Sequence, residues 1–184
     1  MKKISLSFLI LSIVCSFSIF SKRTVREKRL WRKLYAAAKR GHLDKIKRLV
    51  AQGADVHYQN SHDEIVLHEA ADEGHLETVK YLIEEAGSKI DVQNGKGRTP
   101  LFQAVDEGHE DITEYLLSKK ADPNIKTYEG SSILHEAVFE GKPNAVKMLV
   151  EHGADVNFRD AKGNPARYYA KGEIAAYLDG CANR

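Results

Sequence analysis

Apolar positions along the chain follow two regimes. From Ile4 to Ser21 a continuous run carries no charged side chain, centred on Phe8-Leu9-Ile10-Leu11 and Ile13-Val14. Beyond it the apolar residues return in short stretches at helical spacing. Leu76, Val79, Leu82 and Ile83 fall at i, i+3, i+6 and i+7, and the same stripe recurs as Leu43, Ile46, Leu49, Val50 and as Val146, Leu149, Val150. A stripe of that period predicts a helix laid against a neighbour. Ahead of it stands a denser segment, Val66-Leu67-His68-Glu69-Ala70-Ala71, which reads as a partner helix ended by Gly74, since a residue without Cβ suits a left-handed cap.

The two-helix pattern repeats. Gly41, Gly74, Gly108 and Gly141 keep one interval, longer by a single position between Gly74 and Gly108. Leu34, Leu67, Leu101, Leu134 and Ala37, Ala70, Ala104, Ala137 follow the same intervals. A further ladder runs through Gly53, Gly87, Lys120 and Gly153, with Ala86 as a one-residue insertion at a helix end. Landmarks held in register over four units are the mark of a repeat array. Helices this short are marginal alone, so stacking must hold them.

In the third unit the motif is Gly97-Arg98-Thr99-Pro100-Leu101-Phe102-Gln103-Ala104, then Gly108-His109 and Leu116-Leu117. The fourth has Leu134-His135-Glu136-Ala137 and Gly153-Ala154-Asp155-Val156-Asn157. These motifs resemble the ankyrin repeat family, from about Leu34 to Leu178. Thr-Pro is kept only at Thr99-Pro100 and becomes Ile65-Val66 and Ser132-Ile133, while Asp63 replaces a turn glycine. The resemblance implies an all-α ankyrin-repeat solenoid of stacked helix-turn-helix units with β-turn fingers. We divide it into four repeats (34–60, 61–94, 95–127, 128–160), a truncated C-terminal capping repeat (161–184) and a basic N-terminal capping segment (22–33). Thr24 to Glu27 reads as a capping box opening a helix that continues to about Lys39.

The first segment changes the compartment. Lys2 and Lys3 precede the apolar run and small residues close it, which describes a secretory signal peptide over residues 1–21, cleaved after Ser18 or, more loosely, after Ser21. An uncleaved anchor is the rival reading, because a run from Ile4 to Ser21 sits at the lower limit for a bilayer span. The expected location is the periplasm of a bacterium or beyond. Membrane contact is expected only through residues 1–21 or the basic segment 22–33. Cleavage would leave Cys181 as the only cysteine, so stability has to come from packing.

A net charge of +2 hides an asymmetry. Residues 22–50 hold twelve Lys/Arg against Glu27 and Asp44, a balance of +10, whereas residues 51–184 stand at −10. The ankyrin resemblance implies that certain first-helix positions face a concave groove. Here these are Glu69, Asp72 and Glu73, then Gln103, Asp106 and Glu107, then Glu136, Phe139 and Glu140. Seven of the nine are acidic, and the first unit has Ala36, Lys39 and Arg40 there. Arg98, in a turn tip, and Tyr128, at the next tip beside Phe139, complete the candidate contact set. An acidic groove repels phosphates and disfavours nucleic acid. It favours a basic protein partner, with Phe139 as apolar anchor.

No catalytic, cofactor or metal site is expected. His68-Glu69-Ala70-Ala71-Asp72 has Asp72 where a metalloprotease helix needs its second histidine. His42, His75 and His109 follow the repeat glycine and are expected to bond backbone groups and join turns. The functional expectation is a monomeric, non-catalytic protein–protein interaction module. Its alternatives are an inhibitor or immunity-type factor that blocks a basic site with Glu73, Glu107 and Glu140, a host-directed effector, or a membrane-tethered adaptor.

Overall fold

The computed structural model describes residues 25–182. The expected signal peptide with its expected cleavage sites, and the expected capping residue Thr24, lie outside them. The chain forms helix α1 over 25–38, then α2 (Leu43–Ala51), α3 (Val66–Asp72), α4 (Leu76–Glu84), α5 (Pro100–Glu107), α6 (Glu110–Ser118), α7 (Ile133–Phe139) and α8 (Pro143–Glu151). A 3₁₀ turn (Ala166–Tyr169) and α9 (Gly172–Ala182) follow. There is no strand among the described residues. Lys126 bridges Ser132 and Arg159 bridges Pro165 as isolated antiparallel pairs at the bases of two fingers.

Two layers result. α3, α5, α7 and the 3₁₀ turn stack in one row, and α2, α4, α6, α8 and α9 in the other. The ladder leucines Leu34, Leu67, Leu101 and Leu134 and alanines Ala37, Ala70, Ala104 and Ala137 form the seam and are fully buried. Alanine suits the seam because its single methyl lets adjacent helices approach closely. Leu49, Leu82, Leu116 and Leu149 fill the space between the rows. An all-α ankyrin-type solenoid is therefore the architecture.

Histidines join the units. His75 Nε2 meets the Lys39 carbonyl at 3.1 Å and His109 Nε2 meets that of Asp72 at 2.8 Å, so each bonds the end of the preceding unit's first helix. The bonds constrain the glycines: a Cβ on Gly41 would come within 2.6 Å of the His75 ring, and one on Gly74 equally close to His109. Both also have positive φ, 63° and 77°. In the fourth unit Lys142 stands where the histidine would be, and its Nζ donates to the carbonyls of Val105 and Asp106.

A second pair of histidines replaces the missing Thr-Pro. Thr99 caps α5 by accepting from the Phe102 amide at 3.3 Å, with Pro100 at the first helical position. Where Ile65 precedes α3, the His68 Nδ1 accepts from the Ile65 amide at 3.2 Å, and its Nε2 meets the Arg98 carbonyl of the next finger. His135 does the same with the Ser132 hydroxyl and the Asn164 carbonyl. Burial holds the His68 ring below the usual histidine range, which favours the neutral tautomer these bonds require.

Candidate functional site

The first-helix row and the fingers enclose a face with hollows along it. One of about 620 Å³ lies between the tips carrying His62–Glu64 and Asn94–Lys96 and the side chains of Arg98 and Gln103. Another of about 350 Å³ lies at the far end, between α7 and the finger carrying Asp160. Each fingertip is held by one polar side chain. Asn60 accepts from the amides of His62 and Glu64, Asn94 from Lys96 and Arg98, Thr127 from Ser131, and Asp160 from Lys162 and Asn164. These four positions keep the repeat interval, but as four positions shared by three residue types they give little sequence signal.

The carboxylates on this face divide into two groups. At the amino-terminal end Glu69 is buried, 7% exposed, and accepts from the Tyr35 hydroxyl and from Lys39 Nζ at 3.1 Å. Lys39 reaches Glu73 at 2.7 Å as well. What this end presents outward is the Lys39–Glu73 pair, with Glu69 turned inward. Asp72 is half-buried and accepts from the Gln103 amide at 2.8 Å. Burial, then Glu107 and after it Glu69, Glu73 and Glu64, raise its carboxyl to about 6. Asp106 pairs with Arg98 at 2.8 Å, and the same guanidinium lies 4.5 Å from the Phe102 ring centre.

The carboxyl-terminal end is different. The carboxylates of Glu107, Glu136 and Glu140 make no ion pair or hydrogen bond with another described residue. Glu136 is half-buried, and burial, followed by the charge of Asp106, holds its carboxyl above the usual range. Glu107 and Glu140 are exposed. Phe139 is 74% exposed at the end of α7 and walls the hollow beside Glu136.

Tyr128 is also exposed, but its backbone is fixed to the preceding finger, its amide donating to the Lys96 carbonyl at 3.1 Å. It lines neither hollow that Phe139 walls. Phe139's aromatic neighbours there are Tyr168 and Tyr169, which our sequence reading did not single out. The available signal was interval: Tyr169 stands one repeat length after Glu136.

Among the described residues no group of His, Cys, Asp and Glu could hold a metal ion, and no helix is long and apolar enough to cross a membrane. A family model for ankyrin repeats (3 copies) matches residues 34–127 and again 86–160, more than half of the chain. The chain belongs to the ankyrin repeat family. Ankyrin repeats are generally non-enzymatic and imply a protein–protein interaction module with protein partners. No individual curated protein matches it.

Proposed function

We propose that the protein is an exported, monomeric interaction module whose groove takes a basic protein partner. The observation carrying this reading is the group of unpaired carboxylates at the carboxyl-terminal end of the groove. Glu107, Glu136 and Glu140 form no ion pair among the described residues, unlike Glu69, Glu73 and Asp106, which Lys39 and Arg98 contact directly. The charges of Arg98 and Lys142 reach Glu136 without bonding it, and burial and Asp106 outweigh them. A partner's lysine or arginine supplies the missing charge, and complementary potentials raise the rate of encounter as well. Export rests on the apolar run and its basic start.

Proximity labelling in producing cells tests the partner. Proteins recovered with the wild type and lost with the Glu107→Gln, Glu136→Gln, Glu140→Gln triple variant should be basic. An unchanged set of recovered proteins would sink the reading. Export is checked by sequencing the amino terminus of protein made with its own leader and locating it by cell fraction. An intact Met1 in the membrane fraction would leave the membrane-tethered adaptor in its place.

A further inference from the structure

Phe139 and Tyr168 are among the few large apolar side chains left open to solvent, at 74% and 69% exposure, and they wall the same hollow. That hollow, about 500 Å³, runs between the end of α7 and the C-terminal cap over Val138 and Ile174. Both of these are buried core residues, so its floor is apolar. Phe139 also walls the neighbouring 350 Å³ hollow, whose other side carries Glu129, Glu136 and Asp160. The ring is a ridge with an apolar trough on one flank and carboxylates on the other.

The cations nearby do not fill this need. Lys162 and Lys171 stand at the rims and are exposed. Arg98 and Lys142 act on Glu136 through their charge, but Arg98 is bonded to Asp106 and Lys142 to the carbonyls of Val105 and Asp106. Asp160 already accepts from the Tyr169 hydroxyl at 2.7 Å, which leaves Glu136 and Glu129 as the open acceptors. A cation seated there would meet a carboxylate and an aromatic face together, the two kinds of surface that hold guanidinium and ammonium groups.

We propose that this ridge receives a linear segment of the partner in which an apolar side chain and an arginine or lysine stand side by side. The apolar side chain enters the trough against Phe139 and Tyr168, and the cation enters the hollow beside Glu136. The inference rests on the groove's taking a basic protein and adds which end does so and what sequence it selects. Exposed aromatics next to desolvated polar groups are the composition of binding hot spots, and Phe139 and Tyr168 beside half-buried Glu136 bring the two together.

Random twelve-residue peptides displayed on phage and selected on the full chain supply the probe. Recovered sequences should place Lys or Arg within two positions of an apolar residue. Titration calorimetry of synthetic copies should show a loss of about tenfold or more with Phe139→Ala or Tyr168→Ser. Glu136→Gln should cost about three- to tenfold against the cationic peptide and nothing against its Gln-substituted version. Glu73→Gln, at the other end, should change affinity less than twofold, and far-UV circular dichroism checks that every variant keeps its helices. Basic peptides unaffected by both Phe139→Ala and Tyr168→Ser would overturn the ridge and leave the basic-partner reading standing. Peptides without enrichment in Lys or Arg, or no enrichment at all, would overturn both.

Discussion

At the scale of single residues, the repeat explains an apparent defect. Ser88 is buried and its hydroxyl has no hydrogen-bond partner among the described residues. The equivalent positions are Ala54, Ala121 and Ala154, each buried, and each returns its amide to a leucine carbonyl in the helix before it, on Leu49, Leu116 and Leu149. Ser88 makes the corresponding bond to Leu82 at 2.7 Å, across a span longer by one position because Ala86 is inserted before it. An unsatisfied buried hydroxyl costs about 1–3 kcal/mol, part of which its packing returns. Ser88→Ala should therefore raise the urea midpoint, with a gain of about 1 kcal/mol; an unchanged or lowered midpoint would mean that the hydroxyl is satisfied. The insertion was legible from the one stretched interval, and so were the buried leucine and alanine ladders. Lys142 was not, because a lysine doing the work of His75 and His109 shares no residue type with them. Phe139 stood out because it breaks an acidic series.

At the scale of elements, helix pairs followed from the apolar stripes, whereas the C-terminal unit did not. Arg167 falls one repeat length after the buried Leu134, so the last unit has no leucine to seat at that point. Its first helix shrinks to the 3₁₀ turn Ala166–Tyr169, with Ala166 buried instead and Arg167 exposed and bonded to Asp179 on α9. That contraction brings Tyr168 and Tyr169 to the end of the groove, which is why the aromatic half of the candidate site was not readable from register alone. The helix-to-finger turns were more regular. Gly53, Gly87 and Gly153 have φ of 87°, 70° and 91°, and Lys120 completes the series at 69°. A left-handed backbone costs an L-residue about 1–2 kcal/mol, and glycine gives back roughly half of that gain through its freer unfolded chain. Lys120→Gly should raise the thermal midpoint, by about 0.5–1 kcal/mol in free energy. Asp63, at φ 58°, gains less from the same change because aspartate visits this region more readily. Circular dichroism melts of the two variants side by side would check both the direction and the order.

At the scale of the whole molecule, residues 51–184 carry a charge balance of −10, and seven of their carboxylates fall at the same first-helix positions of three successive units. Stacking then brings them into one field. The positive charge of residues 22–50 relieves the field at the amino-terminal end, where Lys39 reaches Glu69 and Glu73. Asp72 bears the consequence. It is half-buried, with Glu69 on its own helix, Glu73 just past that helix's end, Glu107 on α5, Glu64 on the adjacent finger and the neutral Gln103 amide donating to it. Its carboxyl, raised to about 6 from the ordinary 3.8, holds a proton in the folded state at pH values where the unfolded chain has lost it. Stability is therefore greatest below about pH 4 as far as this group is concerned, and is lost as pH rises toward and past 6. Asp72→Asn keeps an acceptor for Gln103 and removes the titration. The variant should match the wild type near pH 4 and exceed it by about 1 kcal/mol at pH 7, after allowance for solvent screening. Salt at about 0.5 M should narrow that difference, since part of it is repulsion from neighbouring carboxylates. Urea unfolding at pH 4, 5, 6 and 7 decides the matter: parallel stability curves for the two proteins would show that Asp72 is not the group that feels the field of the array.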